Sequence, residues 1–301
     1  MQPSRSRALL QIHFCVVLWG FTAILGKVIT LAALPLVWWR MVLVSASLML
    51  VRNFWRGLQP LSARLIAIYA GIGVIVALHW LTFYGSVKLS NASVAATCMA
   101  LTPVFISFVE PLLIRRRFDI TELVFGIAVI PGVVMVVGGT PPEMRLGIAV
   151  GALSALFVAF FASLNKRFIA DSHALTVTGI EMGAGAVFLT LAGLLFPPST
   201  AMFALPALDD AIWLIVLAVG CTLLPFALSL VALRQLSAFS VTLAVNLEPI
   251  YAIVLAIVLL GEQRELAPSF YLGVAIILLV VFTHPLWVAR GDRRAANTTG
   301  A

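Results

Sequence analysis

Apolar residues along this chain come in long runs, and polar residues gather in the short gaps between them. Ten such runs can be marked, at about 11–32, 35–51, 65–86, 92–113, 121–139, 146–165, 174–195, 211–233, 238–260 and 267–289. A helix rises ~1.5 Å per residue and a hydrocarbon core is roughly 30 Å thick, so the pattern predicts ten membrane-spanning helices. The second run is the shortest; it opens at Pro35 and carries Trp38-Trp39-Arg40. No connection is long enough to fold as a separate domain, and the tail Ala295–Ala301 is expected to fray. Two arginines precede the first run in the manner of a signal peptide. No small-residue cleavage site follows them, and the run continues as a full span.

Composition strengthens this picture. The chain is 62% hydrophobic and 10% charged, where soluble domains carry about 25% charged residues. An all-α polytopic membrane protein embedded in a lipid bilayer is the expected class. Cys15, Cys98 and Cys221 fall inside apolar runs with no metal or disulfide spacing, and are expected to be small buried hydrophobes. The net charge of +7 suggests loop bias rather than a nucleic-acid partner. With the N-terminus inside, fourteen Lys or Arg residues fall in inside segments and three, Lys88, Arg145 and Arg264, in outside loops. That asymmetry places both termini in the cytoplasm, and nine or eleven spans would spoil it. Lys27 and Arg40, near the outer ends of their spans, are expected to snorkel to the interface.

The chain also reads as if written twice. Ser240 to Leu260 holds Asn246-Leu247-Glu248-Pro249 at its centre, and Val94 to Leu113 holds Thr102-Pro103 there. Pro103–Asp119 and Pro249–Glu265 align without a gap, and Gly26-Lys27 resembles Asn165-Lys166. Five spans per copy is an odd number, so the second copy enters the membrane upside down. The expected repeats are 10–139 and 146–289, joined outside the cell through Thr140-Pro141. Inverted repeats are a common design of secondary carriers, with the substrate site at the seam between them.

Several features together resemble the drug/metabolite transporter superfamily, EamA type: ten spans as 5+5, Leu18-Trp19-Gly20 in span 1, polar-Pro steps in spans 4 and 9, and the Leu260-Gly261-Glu262 exit from span 9. The resemblance covers about residues 10–289. Span 4 departs from it, leaving through Ile114-Arg115-Arg116-Arg117. Within that superfamily Trp19 and Asn165-Lys166 are similar to the bacterial aromatic amino acid exporters. Aromatic residues of those exporters are replaced here by His79, Ala100, Thr102 and Phe157, which implies a roomier or differently polar pocket. The resemblance implies export of amino acids or similar metabolites, without an ATPase module.

Candidate chemistry is sparse. His79 lies well inside span 3 and shares a helix face with Phe83. It either contacts a substrate carboxylate, relays a proton, or packs by hydrogen bonding to a neighbouring helix. Glu248 is a carboxylate near mid-depth, and should face a cavity or a partner. It suits a substrate ammonium or a coupling proton, or else satisfies backbone freed by Pro249. Glu181, between Gly179 and Gly183, is expected to be structural, and Glu110 a paired interfacial charge. Pro103 and Pro249 are the expected hinges; Pro131 and Pro225 are weaker candidates. Trp19, Phe157, Phe160, Phe161 and Tyr251 are expected to line an aromatic-tolerant cavity, with Thr102 and Asn246 among its polar contacts. Spans 1, 3, 4, 6, 8 and 9 are expected to enclose it.

The sequence holds no GxSxG, HExxH, CxxC or phosphate-loop motif, so no catalytic or metal residue is assigned and no cofactor is expected. The leading expectation is an alternating-access exporter of the bacterial inner membrane, acting as a monomer on amino acids or aromatic metabolites. A multidrug or sugar-type exporter is the alternative. An intramembrane enzyme or channel ranks below both, since no polar pore stripe is visible.

Overall fold

The computed structural model describes residues 3–115, 117–118, 120–168, 173–195, 202–225, 228, 244–245 and 247–299, with side chains at all of them except 3–5, 122–123 and 284–299. Every regular element among them is helical. Span 1 is Pro3–Val28, span 2 Ala33–Met49 and span 3 Ala63–Leu89. Span 4 comes in two pieces, Ala92–Met99 and Thr102–Ile114, and so does span 5, Ile120–Ala128 and Ile130–Gly138. Span 6 is Arg145–Phe168 and span 7 Ala174–Leu195. Span 8 is Leu208–Ile215, continued by a π-helical stretch Val216–Leu223. Span 9 is described from Ala244, with helix Glu248–Leu255 and a π-helical end Ala256–Leu260. Span 10 is Pro268–Thr299.

Among the described residues five stretches, Ser6–Val28, Ala63–Leu89, Ala92–Ile114, Pro142–Phe168 and Ala174–Leu195, are long and apolar enough to cross a bilayer on their own. Span 2 reaches that length only with the helix Arg52–Leu58, from which it is bent by 85°. This short helix carries Arg52 and Arg56, and its exposed Trp55 donates its indole N–H to the Met49 carbonyl at 2.7 Å. Arginines beside an exposed tryptophan suit the headgroup layer.

The loops sort onto two faces. The ends of spans 2, 4 and 6, with the starts of spans 3, 5 and 7, share one face. There Tyr69 donates to Phe168 O, Arg167 to Leu113 O and Thr176 to Phe54 O. Because arginines crowd this end, we call it the basic face. The opposite face gathers the links 29–32, 90–91, 139–144 and 261–267. It is tied shut by buried polar contacts. Glu262 accepts from the backbone N–H of Ala92 and Ser93, Asn91 donates to Glu265, and Ala267 N donates to Gly139 O. Asp210 accepts from both the backbone N–H and the hydroxyl of Thr30.

The helix pairings carry the inverted repeat. Spans 2 and 7, 4 and 9, and 5 and 10 pack together, and exchanging span n with span n+5 returns each pair to itself. The same exchange turns the packing of span 4 on span 6 into that of span 9 on span 1, and both are present. It likewise turns span 3 on span 6 into span 8 on span 1. The ten spans are thus two inverted five-helix halves around a shared centre. Backbones approach closely at the crossings. A Cβ on Gly132 would lie 2.9 Å from Gly273 O, and one on Gly273 2.5 Å from Gly132 O. One on Gly73 would fall onto the backbone of Glu181. Small residues at such crossings are how membrane helices reach van der Waals contact. The Gly179–Gly183 spacing serves this end, its glycines facing the Phe54 ring and Ser45.

The repeat reaches single dihedral angles. Leu101, before the second piece of span 4, has φ −80° and ψ −12°; Leu247, at the same place in span 9, has φ −79° and ψ −11°. Pro103 and Pro249 follow two residues later. Each lacks the N–H that a continuous helix would use, so both helices restart there. Twelve residues beyond each proline the chain turns left-handed, at Arg115 (φ 59°) and Gly261 (φ 71°). Glycine reaches that region without strain, and Arg115 holds it with a side chain.

Candidate functional site

At the seam between the halves lies a cavity of about 960 Å³, near the upper end of the range for small-molecule sites. It begins at mid-depth, around Trp19, Arg40, His79, Trp80 and Glu248, and runs to Glu110, Asn165 and Lys166 at the basic face. No residue of the hydrogen-bonded links on the opposite face lines it. Among the described residues, the cavity's lining reaches the basic face and not the opposite one. All ten spans contribute, rather than the six expected: span 2 supplies Arg40, span 7 Glu181, span 5 Phe125 and span 10 Val280.

Arg40 corrects the sequence reading. It does not snorkel; only 5% of its surface is exposed. Its guanidinium carbon lies over Trp80, 3.7 Å from the ring centre. Nη1 donates to the Tyr84 hydroxyl at 2.8 Å, while Nη2 and Nε both donate to Thr222 Oγ1, at 2.9 and 3.2 Å. Thr222 in turn donates to Leu217 O, five residues back, in the register of the π-helical stretch of span 8. Such π-turns recur at functional sites because they re-aim a side chain.

His79 packs by hydrogen bonding to a neighbouring helix, one of the roles expected for it. Nδ1 lies 2.8 Å from Ser154 Oγ and 3.2 Å from Ser154 O on span 6, and Ser154 Oγ donates to His79 O at 2.9 Å. The serine's single hydrogen is spent on that carbonyl, so Nδ1 must be the donor. In the neutral ring Nε2 is then the acceptor, a tautomer assigned from the network. His79 thus packs span 3 against span 6 and lines the cavity as well. Phe161 and Phe83 stand beside it, with ring centres 5.6 and 6.2 Å away.

Trp19, Thr102, Pro103, Glu248 and Pro249 also line the cavity. Glu248 sits where it meets a narrow recess walled by Trp19, Thr22, Phe83 and Ala96. Phe157 and Phe160 are half-buried and do not line the cavity. Tyr251 does not line it either; its hydroxyl pairs with His13 Nδ1 at 3.2 Å, in a separate cluster with Ile12, Cys15 and Ala244. Asn246 lies outside the described residues. Glu110 is bonded to Lys166 Nζ at 2.7 Å, an ion pair at the mouth. Glu181 packs its backbone on Gly73, as a structural residue would, and is also among the residues lining the cavity. Arg40, Tyr84 and Thr222 escaped the sequence reading as a set. The available signal was an arginine near mid-span beside two tryptophans.

The model of the EamA-like transporter family matches residues 6–138 and 145–283. "Uncharacterized transporter YxxF" of Bacillus subtilis (strain 168) is 26% identical over 212 residues, which is 68% of this chain and 65% of that protein. The chain thus matches just under two thirds of that relative's length. A solved crystal structure superposes with a TM-score of 0.59 at 18% identity, covering 96% of this chain and 99% of its own. At that identity the likeness concerns the fold alone.

Proposed function

The chain belongs to the EamA-like transporter family, and from that premise we propose that it is a secondary carrier exporting amino acids, aromatic ones foremost, or closely related metabolites across a bacterial inner membrane. The observation that supports this reading most is the cavity at the seam. It is large enough for such a substrate and walled by Trp19, Trp80, Phe83 and Phe161, and it holds a basic and an acidic side chain in Arg40 and Glu248. Aromatic and apolar walls supply affinity, and a few polar groups fix orientation. His79 and Glu248 read the polar end of the substrate.

The basic face is the cytoplasmic one, by the arginine bias, and both termini lie there. The mouth on that face and the tied links opposite correspond to an inward-open state. Exchanging the conformations of the halves 10–139 and 146–289 gives the outward-open state, with spans 4 and 9 flexing at Pro103 and Pro249. A single chain contains the whole site.

The test is flux through proteoliposomes loaded with labelled amino acids, with and without a proton gradient. Saturable efflux of phenylalanine, tyrosine or tryptophan above that of protein-free vesicles is expected. Failure of every amino acid and aromatic metabolite in the panel to move refutes the reading. Displacement by lipophilic cations but by no amino acid moves the protein to the multidrug class.

A further inference from the structure

We propose that Arg40 is the anion-binding residue of the cavity and takes the carboxylate of the carried molecule; the proposal deepens the carrier reading and rests on it. A buried guanidinium favours a carboxylate bonded directly to it, because leaving water costs it several kcal/mol that neutral partners and a more distant charge such as Glu248 only partly return. Arg40 is almost wholly buried, yet both of its side-chain partners, Tyr84 and Thr222, are neutral hydroxyls. Among the described residues no carboxylate oxygen comes within 4.0 Å of it. The undescribed stretch of spans 8 and 9 offers none either, since the sequence from 226 to 246 contains no Asp or Glu.

The geometry says what is missing. A guanidinium has five N–H groups. Three are spent, on Tyr84 and twice on Thr222, which leaves one on each terminal nitrogen. Where Tyr84 takes the Nη1 hydrogen on the Cδ side, the two left are the pair a carboxylate accepts in the bidentate mode; in either case Arg40 keeps two N–H groups for an anion. The guanidinium sits over Trp80, and both Arg40 and Trp80 line the cavity. The free N–H groups of Arg40 suit an anion, and the aromatic walls suit the body that carries it. Glu248 lines the same cavity, near enough to attract Arg40 electrostatically but with no hydrogen bond to it, and the two groups match the two ends of a zwitterion.

The experiment compares 3-phenylpropionate with its uncharged amide, 3-phenylpropanamide, at pH 7. Binding to the full chain in nanodiscs is followed by tryptophan fluorescence and thermal stabilisation. The acid is expected to bind at least tenfold tighter than the amide to wild type. Arg40→Gln should bring the two within about threefold, and Arg40→Lys should keep an intermediate preference, as a point charge without the fork. Should Arg40→Gln fail to fold, Thr222→Val, which frees the guanidinium from its main support, must lower the acid-to-amide ratio. An amide that binds wild type as well as the acid overturns the proposal. So does a tenfold preference that survives Arg40→Gln, or an unchanged ratio in Thr222→Val. The carrier reading fails separately. Amino acid flux without acid preference removes the anion site and keeps the carrier; acid preference without flux does the reverse.

Discussion

A carboxylate at the exit of one span holds down the start of another. Glu262 is 1% exposed and accepts from the backbone N–H of Ala92 at 2.9 Å and of Ser93 at 2.8 Å. Asn91 Oδ1 adds a cap on Val94 N. The first N–H groups of a helix have no partner inside it, and a negative charge there is favoured by the helix dipole. Glu262→Ala would strand two buried donors, at a cost of about 3 kcal/mol. It should lower the unfolding temperature in detergent by several degrees, and Glu262→Gln by less; an alanine variant melting with wild type would show that water replaces the cap. His79 can be divided by the same kind of substitution. Asn places its amide where Nδ1 was, so His79→Asn keeps a donor for Ser154 and removes Nε2. It should melt near wild type while its apparent KM for export rises several-fold. An unchanged KM would leave His79 with packing alone.

Spans 4 and 9 are the elements that both halves of the chain interrupt alike. Leu101 and Leu247 share their dihedrals within a degree, and a proline follows each two residues on. Pro249→Ala restores the missing N–H and lets span 9 run as one straighter helix. If the break lets the span flex, turnover should fall on the order of tenfold while ligand affinity changes little, since conformational steps set many transport and catalytic rates. Equal export rates in the variant and wild type would make the break a static feature. These elements also show what a sequence can display. Prolines announce their breaks, because the missing N–H is local chemistry, and apolar runs announce spans, because lipid imposes length. Arg40 was misread for the opposite reason. Its partners sit 44 and 182 residues away, so only the fold brings Tyr84 and Thr222 to it. Glu262 stood out as part of a motif, but its role depends on Ala92, 170 residues distant. Tyr251 has the composition of a cavity residue, yet its neighbour is His13 of span 1, outside the cavity.

At the scale of the whole molecule, the sidedness of the fold decides which way the cavity opens. An odd number of spans per half forces the link between the halves to the face opposite the termini. The packing agrees: the link 139–144 neighbours Asn91 and Ala267. Single cysteines can read this directly. Glu143, Gln263 and Arg56 are exposed, and the three native cysteines are buried, so wild type gives a low background. A membrane-impermeant maleimide added to intact cells should label Glu143→Cys and Gln263→Cys, and should reach Arg56→Cys only after permeabilisation. Labelling of Arg56→Cys from outside, with Glu143→Cys protected, would turn the molecule over. The mouth of the cavity would then face away from the cytoplasm, and the same geometry would describe a carrier resting open to the outside.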